Sequence, residues 1–234
     1  MSPEELLASP RGRRLISASS PAFFDSYYCG MRRADHRDAW LDLLDTGATQ
    51  ARVSGIKHKL LILAPRDHGK TEVMISYAVR ALCLDRDIRI LWISESQGQA
   101  EKRLRRVGAL LKSPKIIEDW GSAPTEGAPA LEGGSAKWTN NMIYLPRSIE
   151  SVDASIEAIG AGGSVTGGHF DLIICDDIQD DRNTYTAGVR RKTREWWRGT
   201  ISPMLVRGGM ICVIGTRKHH DDLFSHLIDD PTYQ

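Results

Sequence analysis

The chain has 234 residues, with 31 basic and 30 acidic side chains and a formal net charge of +1. That length supports one good core with at most a small appended lobe, and the balanced charge excludes a global basic field, so any nucleic-acid contact must come from a local patch. The four cysteines, Cys29, Cys83, Cys175 and Cys212, are far apart and form no CxxC pair, which argues against a disulfide scaffold or structural zinc and fits a reducing cytoplasm.

The opening MSPEELLASPRGRR has no apolar stretch of the signal-peptide kind, and no run approaches a membrane span. Residues 1–50 read as helical and irregular, through PEELLAS, PAFFDSYYCGM and DHRDAWLDLLD. The last places Trp40, Leu41, Leu43 and Leu44 on one apolar face, with Asp35 as candidate cap. Lys59-Leu-Leu-Ile-Leu-Ala64 is too apolar for a solvent-facing strand and reads as a central parallel one. The turn APRDHGKT (64–71) follows, and then a helix over Glu72 to Leu84. A second buried strand covers Arg89 to Ser94, and a charged amphipathic helix covers Glu95 to Lys112.

Residues 113–140 are rich in Pro, Gly, Ser and Ala and read as a surface excursion. Met142–Leu145 and Ser155–Ile159 suit short strands. Gly160 to Gly168 is a glycine-dense loop. Asp171-Leu-Ile-Ile-Cys-Asp176 is an apolar strand ending in acid. A helix carrying Trp196-Trp197 spans roughly 185–198, and Gly209 to Gly215 is the last strand. Strands alternating with helices indicate an α/β domain with a mostly parallel sheet.

Three stretches carry chemistry. APRDHGKT is nearly a phosphate loop, with Ala64 at the opening Gly position and Arg66 and His68 inside. Its context, buried strand then turn then helix, is the one a phosphate loop requires. Backbone N–H groups of the turn over Arg66, Asp67, His68 and Gly69, and of the helix N-terminus, would cradle phosphate oxygens, with Pro65, which has no N–H, counted in the turn as a binding position. Lys70 would reach the β- and γ-phosphates, and Thr71 would ligate Mg²⁺. The bland alternative is a chance GKT at a helix start.

Asp176-Asp177 is the second stretch. Acids at the C-terminal end of a buried strand face the ligand crevice of an open α/β sheet. Asp176 would hold Mg²⁺, and Asp177 would orient or deprotonate the attacking water. Asp180 and Asp181 read as a solvated acidic loop. The third is Val213-Ile-Gly-Thr-Arg217, where Thr216 could sense the γ-phosphate or simply end a strand. In His219-His220-Asp221-Asp222, helix capping by Asp221 is favoured over a metal site. Arg103, Arg105 and Arg106 sit on one charged helix and Arg190, Arg191, Lys192, Arg194 and Arg198 on another. Each suits DNA phosphates or plain solvation. Trp196-Trp197 reads as core or subunit contact.

Together these residues resemble the ATPase domain of the large terminase subunit of tailed bacteriophages. The matching pieces are LLILAPRDHGKT, RILWISES, SIEAIGAGGSVTGGHFDLIICDD and ICVIGTRKHHDDL, over roughly residues 35–225. The resemblance implies a RecA-like P-loop NTPase fold of the additional-strand (ASCE) class, with a helical lid over 1–50 and the ATPase core over 51–234. It implies ATP and Mg²⁺ as cofactors, and hydrolysis that drives double-stranded viral DNA through a portal into a procapsid. Portal protein, small terminase subunit and a homo-oligomeric ring are the implied partners, in the host cytoplasm and without a membrane. Lys70, Arg66, Asp177 and Thr216 take the catalytic and coupling roles by position. Gln97 falls in a region the family uses for signalling or DNA contact.

Departures accompany the resemblance. Asp177 stands where the family often has Glu. Thr166-Gly167 stands where many members carry an Arg-Gly finger, a group worth ~10³–10⁵ in turnover. Arg66, Arg147, Arg182 and Arg217 are the replacement candidates. The family's nuclease half is not expected in this chain, which reads as an isolated ATPase module. A helicase-like ATPase, a Mg²⁺ nuclease built on the four aspartates and a nucleotide-gated assembly module are the competing readings.

Overall fold

The computed structural model describes residues 3–121, 138–148, 153–165, 168–180 and 184–234. The N-terminal quarter begins with α1 (Pro3–Ala8), α2 (Pro10–Ser19) and α3 (Pro21–Tyr27). In α2 and α3 a serine and then a proline set the start: Ser9 accepts from the Gly12 N–H, and Ser20 from the Phe23 N–H. The serine satisfies an orphan donor, and the proline lacks one. Next, α4 (Asp35–Ser54) ends at Gly55, held at φ 67. Asp35 is not its cap, as the sequence pattern suggested. Ala34 takes that place without a side-chain bond, and Asp35 and Asp38 sit in the first turn, where their charge suits the helix dipole. The helix runs continuously through residue 50 and packs on α3 and, further along, on the sheet.

The sheet is built from β1 (His58–Leu63), β2 (Ile90–Ser94), β3 (Met142–Ile143), β4 (Ile156–Gly160), β5 (Phe170–Asp176) and β6 (Leu205–Gly215). Its order is β1-β6-β5-β2-β4-β3, parallel throughout except for β3 against β4. The crossovers include α5 (Lys70–Leu84) and α6 (Gln97–Leu111). α7 (Ala187–Trp196) continues as a wider turn over Trp197–Ile201, and α8 (Leu223–Ile228) follows β6.

Alternate residues of each strand enter different cores, as the pleat requires. Ile90, Trp92, Ile174, Cys212 and Ile214 join α3 to α6 on one face. Leu91, Ile93, Ile173, Cys175, Val213, Trp197 and Phe224 pack on the other. Both faces are covered, so the strands read as continuous apolar runs.

One expectation fails here. The run 59–64 is at the sheet's edge rather than its centre. It is apolar because α4 packs on it and residues 233–234 pair with its outer side. Leu61 N donates to Gln234 O, and Gln234 N to Lys59 O, both at 3.0 Å.

Candidate active site

Because β1, β6, β5 and β2 are parallel neighbours, their C-terminal ends share one rim of the sheet. A cleft of about 380 Å³ opens there. The turn after β1 forms one wall. Asp67 and Gly69 are both left-handed, at φ 65 and 73. Glycine takes that conformation without strain. α5 then starts at Lys70 with no side chain capping its first turn, so its leading N–H groups remain suited to an anion. His68 Nδ1 donates to Arg66 O at 2.7 Å, which folds the turn on itself.

Lys70 is buried and spends its three ammonium protons locally. It donates to Ala64 O at 3.0 Å, Pro65 O at 2.6 Å and Thr216 Oγ1 at 3.1 Å. Thr216 in turn donates to Ala64 O at 3.0 Å. The late strand thus reaches the 64–71 turn directly, because β6 is β1's neighbour. From below, α3 and α4 brace the turn. The buried pair Asp25–Arg37 is bidentate at 3.0 and 2.9 Å, and Arg37 Nη1 lies 3.4 Å from Gly69 O. His36 Nε2 is 3.2 Å from His68 O.

Asp176 ends β5, 2% exposed. Thr71 Oγ1 is within 2.8 and 3.0 Å of its two oxygens, and Arg103 Nε donates to it at 3.2 Å. Burial pushes its carboxyl up to about 6, helped by the neighbouring Asp177 charge, while Thr71 and Arg103 pull it down. Asp177 is left-handed at φ 47 and donates its N–H to Ile214 O of β6 at 2.9 Å. Its Oδ1 lies 3.3 Å from the point where a Cβ on Gly215 would sit. The carboxylate therefore leans toward β6, at the cleft wall.

The structure brings Arg66, Asp67, Gly69, Lys70, Thr71, Asp177 and Thr216 to one cleft. Asp176 is reached through Thr71, and Pro65 and His68 contribute through their backbone carbonyls. Glu72, Glu95, Gln179 and Lys218 also line the cleft and escaped the sequence pattern as site residues. Glu95 follows Ser94, which pairs with Asp176 across β2 and β5. A strand-end rule applied to β2 would have found it. Gln179 lies three residues past Asp176 and is 2% exposed. No motif marks it.

Other expectations shift. Arg103 points at Asp176 rather than outward, and Arg106 reaches Glu72 at 3.7 Å. Arg147 is no finger, since it donates to the Asp153, Ala154 and Ile88 carbonyls, at the opposite end of the strands. Arg217 donates to Ser225 and does not line the cleft. Arg66 remains as the cleft's arginine. Thr166-Gly167, Asp181 and Arg182 lie outside the described residues. Gln97 staples α6 to β4 through Ala158 O and Gly160 N. Asp222, not Asp221, caps α8 by accepting from Ser225 N. Asp221 instead pairs with Arg190, Arg194 and His226, which hold it at about 2. Among the described residues no cluster of three His, Cys, Asp or Glu is arranged for a metal, and no helix is long and apolar enough to cross a membrane.

Comparison with known proteins bears on this cleft. Residues 61–204 match the family model described as terminase large subunit, T4likevirus-type, N-terminal. The large terminase subunit of Enterobacteria phage T3 is 22% identical over 187 residues, covering 77% of this chain and 29% of that protein. The crystal structure of the HK97 bacteriophage large terminase superposes with a TM-score of 0.56 at 17% identity, covering 92% of this chain and 42% of that one. At that identity the match speaks for the RecA-like α/β fold. The chain spans less than half the length of either relative. The matched segment includes the phosphate turn and both acids, and on that evidence the chain belongs to the terminase large subunit family.

Proposed function

We propose that this chain is a Mg²⁺-dependent ATPase whose turnover drives double-stranded viral DNA through a portal into a procapsid. The observation that carries the reading is the convergence of Lys70, Thr71, Asp176 and Thr216 at one sheet rim, from three separate segments.

The residues fit both cofactors. Thr71 and Asp176 offer hard oxygen donors side by side at the cleft, the chemistry Mg²⁺ prefers. Those two would hold the ion, which when bound neutralises charge on phosphate oxygens. The uncapped start of α5 and the cations Arg66, Lys70 and Lys218 suit a polyphosphate. Lys70 would exchange its carbonyl partners for phosphate oxygens. Thr216 would then lose the ammonium it now accepts from, and the loss would register on β6. Arg103 keeps the Asp176 charge balanced. Asp177 would orient the attacking water and accept its proton as the water oxygen bonds to the γ-phosphorus and the bond from that phosphorus to the bridging oxygen breaks, releasing ADP and phosphate. Arg66 is the finger candidate, acting within the chain or on a neighbour.

Family membership supports the wider role. Portal protein, small terminase subunit and a homo-oligomeric ring in the host cytoplasm are the proposed setting. The proposed DNA-facing cations are Arg191, Lys192 and Arg198, which α7 and its continuation leave exposed. ATP turnover per chain, measured across a wide protein concentration with Lys70→Ala as control, tests the reading. A rate that climbs with concentration means neighbours complete the site, and a flat rate places every part in one chain. No rate above the control would leave a nucleotide-gated assembly module instead.

A further inference from the structure

We propose that Gln179 positions the attacking water against the γ-phosphoryl group, its buried carboxamide Nε2 being the donor that bound substrate and water would satisfy. The inference rests on the ATPase reading above and adds a residue to it.

Gln179 is buried, yet it lines the cleft beside Lys70, Thr71, Asp177 and Thr216. One end of its carboxamide is committed: Oε1 accepts the Phe224 N–H at 3.3 Å. That N–H belongs to the first turn of α8, where backbone donors have no partner within the helix. The orientation follows from chemistry. Phe224 N–H can only donate, so the atom facing it must be the oxygen. The other end, Nε2, is therefore the free one, and it is buried without an acceptor among the described residues.

A buried donor left without an acceptor is a standing cost. At the wall of a proposed phosphate cleft, the substrate itself can relieve it. The neighbours leave this task open. Lys70 has three donors and three acceptors. Asp177, when ionised, only accepts. A water between Asp177 and Gln179 would donate to the carboxylate and accept from the carboxamide, which aims a lone pair at phosphorus. Because Oε1 is tied to α8, the donor is held in place before substrate arrives, the condition under which such a group acts. Asp222 secures α8 in turn, accepting from the Lys218, His219 and Ser225 N–H groups.

The simpler role would be capping of α8 alone. Two substitutions separate the roles. Gln179→Glu keeps the acceptor for Phe224 and loses the amide donor, and Gln179→Met loses both at similar size. ADP affinity, melting temperature and steady-state turnover are measured for both, beside wild type and Lys70→Ala. The expected result is a turnover loss of about 10²–10³-fold in both variants, with ADP affinity kept. Wild-type turnover in Gln179→Glu would overturn the inference and leave the ATPase reading intact. Loss of ADP binding in both variants would also overturn it, in favour of a structural role. Wild-type turnover no higher than that of Lys70→Ala would overturn the ATPase reading, and this inference with it.

Discussion

The hydroxyl of Thr71 lies 2.8 and 3.0 Å from the two carboxylate oxygens of Asp176, across 105 positions of sequence. A threonine opening α5 and a strand-end acid are thereby one unit. Thr71→Ala should raise the Mg²⁺ concentration for half-maximal turnover about tenfold or more. A Mg²⁺ titration of turnover reads this, and an unchanged midpoint would remove Thr71 from the metal site.

Stability should depend on pH through Asp176. Its carboxyl is raised by burial from 3.8 to about 6. Between those values the folded chain keeps a proton that the unfolded chain has released. Stability from this group is therefore full at the acid end and lost as pH rises through about 6. The loss amounts to about 3 kcal/mol at 1.36 kcal/mol per unit. Denaturant unfolding in EDTA across this window, wild type against Asp176→Asn, checks it. The asparagine variant should gain on wild type as pH rises. A constant difference would contradict the burial argument.

Asp25 and Arg37 form a buried pair under the phosphate turn. Asp25→Ala would leave the guanidinium uncompensated and should cost about 3–5 kcal/mol. It should also loosen the turn, because Arg37 reaches Gly69 O. Hydrogen exchange at residues 69–72 would register the loosening. Unchanged protection there would make the pair a matter of stability alone.

Gly215 is packed rather than flexible. A Cβ on it would meet the Phe224 ring at 2.5 Å, so Gly215→Ala should cost about 1–3 kcal/mol by overpacking. Phe224→Leu, added as a second change, should return part of that loss by making room. Thermal unfolding of the single and double variants decides it, and strict additivity would refute the contact.

The basic face of α7 is divided. Arg190 and Arg194 are held by Asp221, whereas Arg191, Lys192 and Arg198 are exposed. If the exposed three meet DNA phosphates, changing them together to alanine should flatten the log–log salt dependence of binding by roughly 3. Binding isotherms over a salt series measure the slope. An unchanged slope would place the DNA surface elsewhere.

The placement of the 64–71 turn and of the two acids at strand ends could be read from sequence because each is a local pattern tied to a strand end. β1's edge position could not, because an edge strand covered by α4 and residues 233–234 is as apolar as a central one. Arg103 was misassigned to the surface, since helical spacing gives a face but not what the face meets. It meets a carboxylate 73 positions away. Gln179 had no signal at all, because the role proposed for it rests on an atom without a partner among the described residues.

The position of β6 also sets an order of assembly. β1 and β5 carry the phosphate turn and the acids, yet they are not neighbours, and β6 fills the gap between them. β6 is the last of the described strands in the chain. On a ribosome, which releases the chain from its N-terminus, the turn after β1 and the acids after β5 therefore emerge before the strand that lies between them. The cleft is a late product of synthesis, and a nascent chain shorter than about Thr216 lacks the wall that β6 and Thr216 supply.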